Sequence, residues 1–124
     1  MNVNNAGLAS KVKILIGRAA ETLANIDSDA SFDLAFIDAD KQSNVEYFLQ
    51  AKRLVRSGGV IIVDNVVRNG HVADLDQNDS SIEGVRRLLA FIQQDSTVES
   101  TTIGTVGEKG YDGFLYALNN PLRH

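Results

Sequence analysis

Two short apolar runs in this chain break off abruptly into oxygen-bearing side chains. Phe32-Asp33-Leu34-Ala35-Phe36-Ile37 leads into Asp38-Ala39-Asp40-Lys41, and Gly58-Gly59-Val60-Ile61-Ile62-Val63 leads into Asp64-Asn65. Apolar runs of this length, bounded by glycine or charge, read as buried parallel strands. The pattern around them predicts the remaining elements. A helix ends near residue 6, with Gly7 as its stop. Residues 12–16 alternate and are rich in β-branched side chains, which predicts a strand closed by Gly17. A short helix follows over 19–25, then a strand over 32–38. The next helix runs over 43–55, with Val45, Phe48, Leu49 and Val55 near one face and Ser57-Gly58-Gly59 as its stop. A third strand covers 60–63. A polar loop fills 66–79. Ser80-Ser81-Ile82-Glu83 fits a capping box with Ser80 as the cap, and Ile82, Val85, Leu88, Leu89 and Ile92 stripe the helix behind it. Two strands, 100–106 and 113–118, flank a turn from Gly107 to Asp112 and form an antiparallel pair.

The order βαβαβ, helix, hairpin predicts an α/β domain with a mostly parallel sheet and an antiparallel addition at one edge. Ligands in such sheets bind outside the carboxyl ends of the strands. Two strand ends therefore deliver Asp38, Asp40, Lys41, Asp64 and Asn65 to one rim. Three carboxylates and an amide suit a hard divalent cation such as Mg²⁺. A lysine beside them suits a base or a substrate clamp. Each position also has a plainer role. Asp38 and Asp40 can cap the following helix, Asp64-Asn65 can form a strand-end turn, and Lys41 can be a surface lysine. Arg68 and Asp74, in the long loop, are candidates for substrate contact, against simple solvation. His71 has no second histidine nearby and reads as a loop residue. Tyr111 and Asp112 face the site or complete a turn.

Composition narrows the setting. The 124 residues suffice for one domain and one core. No apolar stretch reaches the length of a membrane span, and residues 1–7 lack the basic start and apolar centre of a signal peptide. With no cysteine, disulfides and thiolate metal sites are excluded; a reducing, cytoplasmic setting is expected. A net charge of −4 argues against a nucleic-acid or anionic-membrane surface. No GxGxxG turn occurs anywhere in the chain.

Phe36-Ile37-Asp38-Ala39-Asp40-Lys41 and Ser57-Gly58-Gly59-Val60-Ile61-Ile62-Val63-Asp64-Asn65-Val66 together resemble the cation-dependent O-methyltransferases of the caffeoyl-CoA and catechol type. The opening Ala6-Gly7-Leu8-Ala9 with Val12-Lys13-Ile14-Leu15-Ile16-Gly17-Arg18-Ala19, and the close Asp112-Gly113-Phe114-Leu115-Tyr116-Ala117-Leu118, extend the resemblance over nearly the whole chain. It implies a partial Rossmann-like, class I methyltransferase sheet, with strands in the order 3-2-1-4-5-7-6 of the complete family. It implies Asp38, Asp64 and Asn65 as ligands of Mg²⁺, Mn²⁺ or Ca²⁺, and Lys41 as general base. Gly17, Ala19 and Asp38 match positions that contact S-adenosylmethionine, and Asp40, Arg68 and Asp112 fall where substrate contacts or supporting groups are expected. It also implies that the chain is a single, incomplete C-terminal portion, the glycine-rich cofactor loop and the ribose-binding acid falling upstream of Met1. The expected acceptor is a hydroxyl of a catechol-like or caffeoyl-type small molecule, and a bare strand edge is expected to make homo-oligomers. Two other readings stay open on the residues alone: a phospho-acceptor receiver domain, and a non-catalytic module that associates through its sheet edge.

Overall fold

The structure, a computed structural model, describes residue 7 and residues 10–74, 79–107 and 110–120. The helix expected up to residue 6 lies outside them. Helix α1 (Ala19–Ala24) leads to strand β1 (Phe32–Ile37), a 3-10 turn (Lys41–Ser43), helix α2 (Asn44–Leu54) and strand β2 (Val55–Val63). Helix α3 (Ser80–Gln93) and the hairpin β3 (Val98–Gly107) and β4 (Gly110–Asn119) complete the chain. No described helix is long and apolar enough to cross a membrane.

The four strands form one sheet in the order β1-β2-β4-β3. β1 and β2 are parallel, while β2–β4 and β3–β4 are antiparallel. The α/β class and the C-terminal antiparallel pair are as the sequence predicts. Residues 12–16 are different. They form no strand and pair with nothing among the described residues, and Ile16 is 95% exposed. Alternation makes a segment fit for a sheet, but pairing needs a neighbouring backbone, and no described strand offers one beyond β1.

Register sets which side chains form the core. Ile37 pairs with Val63, Val63 with Leu115, and Ile61 with Ala117, and all five are buried on one face. Phe48 from α2 and Val85 and Leu88 from α3 pack onto that face. Phe48 meets Phe91 edge to face at 6.4 Å. The alternate residues Leu34, Phe36 and Tyr116 belong to the other face and remain exposed.

Local chemistry moves several boundaries. α2 stops at Leu54, and Val55 opens β2. Ser57-Gly58-Gly59 is not the end of the helix but part of a bulge: Phe32 pairs with Val55 and Leu34 with Val60. Gly58 there has φ +81°, and a Cβ at Gly59 would lie 2.8 Å from the Asp33 carbonyl oxygen, so glycine is required at both. Leu49 is exposed rather than core, because the face of α2 toward the sheet is set by Tyr47, Phe48, Ala51 and Leu54. The cap of α3 is Asp79, whose carboxylate accepts from Ile82 N at 2.8 Å, and Ser80 is the first helical residue. An ionised acceptor interacts more favourably with the helix N-terminus than a hydroxyl does, and it displaces the cap by one position. Tyr111 and Asp112 belong to β4, so the hairpin turn is shorter than predicted.

Candidate active site

β1 and β2 end side by side. Asp64 N donates to the Ile37 carbonyl at 3.1 Å, which holds the two polar strand ends together. The 3-10 turn after β1 then folds Lys41 inward. The Lys41 side chain is only 6% exposed. Its Nζ donates to the Asp64 backbone carbonyl at 2.9 Å and lies 3.9 Å from Asp38 Oδ1. Burial pulls the Lys41 pKa below the usual lysine value, while Asp38, Asp64 and Asp112 pull the other way and Arg68 adds to the lowering.

Tight packing keeps this turn in place. A Cβ on Gly84 of α3 would lie 2.0 Å from the Lys41 carbonyl oxygen and 2.8 Å from Gln42 Cα. Only glycine lets α3 approach the turn so closely. Arg87 adds a hydrogen bond to the Gln42 carbonyl at 3.2 Å. Gly84 carried no signal in the sequence, where it interrupts the helical pattern without an evident reason.

The loop after β2 bends sharply, with Asn65 at φ +60°, Arg68 at +56° and Asn69 at +56°. Asparagine tolerates this region; arginine visits it less readily. The loop is laid along β4. Val66 N donates to the Gly113 carbonyl at 2.9 Å and Asn69 N to the Tyr111 carbonyl at 2.8 Å. Asp112 sits between these bonds. Its Oδ1 accepts from the backbone N–H groups of Val67 (3.1 Å), Arg68 (2.8 Å) and Gly113 (2.8 Å), and its Oδ2 accepts from Asn65 Nδ2 at 3.1 Å. Burial alone would raise the Asp112 pKa, but the N–H groups of Arg68 and Gly113, with Asn65 and Val67, outweigh it and hold the carboxyl below its usual value.

Asp38, Lys41, Asp64, Asn65, Arg68 and Asp112 thus converge on one rim. Asp40 does not. It turns away and accepts from the Tyr47 hydroxyl on α2, which lowers the Asp40 pKa and raises that of Tyr47. Alternation along the chain places Asp38 and Asp40 alike; the phenol that captures Asp40 comes seven residues later and was not anticipated. His71 and Asp74 lie apart from the rim, and their carbonyls accept from Arg86 at 3.1 and 2.6 Å. Arg86 holds the described part of that loop against α3, a role that its place on the polar side of the helix did not reveal.

Beside the rim lies a cavity of about 540 Å³ between residues 13–17 and β1. Gly17, Ala19 and Asp38 all line it, with Leu15, Leu34 and Phe36. The three positions expected to contact a cofactor therefore share one wall-to-wall space. Among the described residues no three His, Asp or Glu side chains gather as a metal-binding group. The oxygen donors on the rim are the carboxylates of Asp38, Asp64 and Asp112 and the amide of Asn65, and Asp112 is already engaged by four hydrogen bonds.

A family model described as O-methyltransferase matches residues 1–115. The catechol O-methyltransferase of Mycobacterium tuberculosis is 42% identical over 118 residues, covering 95% of this chain and 53% of that protein. Among solved structures, the O-methyltransferase TomG from Streptomyces achromogenes, in complex with SAM, superposes with a TM-score of 0.87 at 43% identity, covering 95% of this chain and 54% of that one. An O-methyltransferase from Bacillus cereus in complex with SAH gives 0.88 at 43% identity, covering 96% and 55%. The chain spans about half the length of the relatives it matches. The fold is that of the class I SAM-dependent O-methyltransferases, and the receiver-domain reading falls away. By a match that takes in all but its last nine residues, this chain belongs to the O-methyltransferase family.

Proposed function

We propose that this chain carries the acceptor side of an S-adenosylmethionine-dependent O-methyltransferase: the groups that bind a divalent cation, hold a catechol-like hydroxyl and take its proton. The observation that carries the reading is the environment of Lys41. A buried amine with a lowered pKa is neutral more readily than an exposed one, and a neutral amine can accept a proton. Once protonated, the same Nζ has the Asp64 carbonyl at 2.9 Å and the Asp38 carboxylate at 3.9 Å to stabilise its charge. The surroundings favour the amine before the transfer and tolerate the ammonium after it.

The donor set fits a hard cation. Asp38 is 57% exposed at its side chain, Asp64 spends Oδ1 on the Asn65 N–H, and Asn65 spends its nitrogen on Asp112. Oxygen atoms of Asp38, Asp64 and Asn65 would hold Mg²⁺ or Mn²⁺. When bound, the cation would lower the pKa of a chelated hydroxyl and orient it. S-adenosylmethionine would lie against Gly17, Ala19 and Asp38, at the strand-end side of the cavity; the apolar remainder along Leu34 and Phe36 falls where the family's strand order sets two further strands. The carboxylate of Asp38 stands where cavity and rim meet, an arrangement that would bring methyl donor and acceptor together.

The test is a calorimetric titration of the chain with Mn²⁺, then with a catechol, followed by a methyl-transfer assay with S-adenosylmethionine in the enzyme complemented with the family's glycine-rich cofactor segment. Catechol binding is expected to require the cation. Lys41→Met is expected to leave both binding steps in place and to lower kcat by about 10²–10⁴-fold. Catechol binding that persists in EDTA would sink the cation reading. A Lys41→Met chain with unchanged kcat would leave Lys41 a packing residue.

A further inference from the structure

Asn65 has an orientation problem that the aspartates do not share. Its side chain ends in one oxygen and one nitrogen, and only the oxygen can serve a hard cation. Rotation by half a turn would present two N–H donors instead, at almost no steric cost.

The neighbouring carboxylate removes that freedom. Ionised Asp112 accepts hydrogen bonds and donates none. Asn65 can face Asp112 Oδ2 only with Nδ2, as it does at 3.1 Å. Asp112 cannot swing aside, because three backbone N–H groups hold its other oxygen at 2.8–3.1 Å. Those three donors come from two elements, the loop after β2 and strand β4. Gly113 brings the two close enough: a Cβ there would lie 2.6 Å from Val67 Cγ2. The Asn65 carbonyl oxygen is left without a protein hydrogen bond among the described residues.

We propose that Asp112 is a positioning residue: it fixes the Asn65 amide with its nitrogen turned inward, so that the oxygen is the atom left to the cation. The inference rests on the cation reading given above. It makes strand β4 a partner in metal binding without a ligand of its own. It also predicts which chemical property of Asp112 matters, namely that it cannot donate.

Asp112→Asn separates that property from shape. The replacement is isosteric, and its oxygen can still accept from the backbone of Val67, Arg68 and Gly113. Its new amide nitrogen, however, needs an acceptor, and Asn65 must turn over to supply one. The unfolding transition is expected to stay cooperative while Mn²⁺ affinity, measured by calorimetry or electron paramagnetic resonance, falls about 10–100-fold. Asn65→Asp in the Asp112→Asn background restores a matched donor and acceptor and keeps an oxygen free, so it should recover most of the affinity. Asn65→Asp alone sets two carboxylates against each other and should bind less well than the double variant. An Asp112→Asn chain with unchanged Mn²⁺ affinity overturns the proposal, and so does a double variant no better than Asp112→Asn. A wild-type chain that binds no Mn²⁺ overturns the cation reading itself and takes this inference with it.

Discussion

On the face of the sheet that α2 and α3 cover, Ile61, Val63 and Ala117 are fully buried; on the opposite face, Leu34 and Phe36 keep 53% and 56% of their surface exposed. The two faces use similar residues to different ends. Burial of a large apolar side chain contributes on the order of 1.5–3 kcal/mol, and the covered face collects most of it. The candidate base and cation ligands depend on that covered side. Lys41 rides on a turn packed against α3, and Asn65 is held by β4 through Asp112. The wall that carries Gly17 and Leu15 stands beyond β1, next to the bare side. The proposed acceptor site is therefore built on the packed side of the sheet, while the proposed space for the methyl donor is bounded by an unpaired segment.

The comparison can be broken most directly at Phe48. Phe48→Ala removes a fully buried ring from the covered face and should cost about 3–5 kcal/mol in urea unfolding. A loss below 1 kcal/mol would mean that this face is not the stabilising one.

A smaller effect is expected at Asp95, which ties the covered side together through Lys52 of α2 and Thr97. Burial opposes its ionisation, but Lys52 and Thr97 prevail and the carboxyl titrates below its usual value. Its contribution is thus fully present above the ordinary aspartate range and is lost as pH falls through the lowered folded value. Asp95→Asn should cost about 1.5–3 kcal/mol at neutral pH and progressively less toward strong acid. Parallel stability curves for the two proteins down to the acid limit would contradict this.

The smallest change in stability belongs to the bare side. Phe36→Lys should shift unfolding by no more than about 0.5 kcal/mol. It should nevertheless reduce self-association in sedimentation, because an exposed apolar edge is what a second copy would pair with. Association that is indifferent to Phe36→Lys would place the contact elsewhere.

Much of the covered side was legible in the sequence. β1 and β2 announce themselves as apolar runs that stop at Asp38 and Asp64, and the stripe of α3 names Ile82, Val85, Leu88 and Ile92 correctly as core. The rim was legible for the same reason: parallel neighbours bring their ends together. What could not be read is anything decided by a distant partner. Residues 12–16 have the right alternation, yet a strand exists only if another strand receives it. Asp40 looks equivalent to Asp38 until Tyr47 claims it. Ser80 fits the capping-box pattern, yet Asp79, one residue earlier, takes the cap by accepting from Ile82 N. Asp112 could be flagged beside a glycine at the start of an apolar run, but three of its four hydrogen bonds reach the loop after β2, 44–47 residues away in the chain, and no local pattern encodes them.

The close fit of Gly84 against the Lys41 carbonyl bears on how this scaffold can diversify. A residue that must be glycine ties the sequence of α3 to the position of the amine, so neither can drift without the other. If Lys41 is the base proposed above, new acceptors are not accommodated by moving it. Under the proposed function, variation would be left to the outward side chains of the loop after β2 and of the hairpin, where Arg68 and Tyr111 can change size and charge, whereas Asn69 is held by its left-handed backbone and by the Tyr111 N–H that its side chain accepts. A selection for altered acceptor range in this protein should accordingly collect its substitutions there and return Gly84 unchanged.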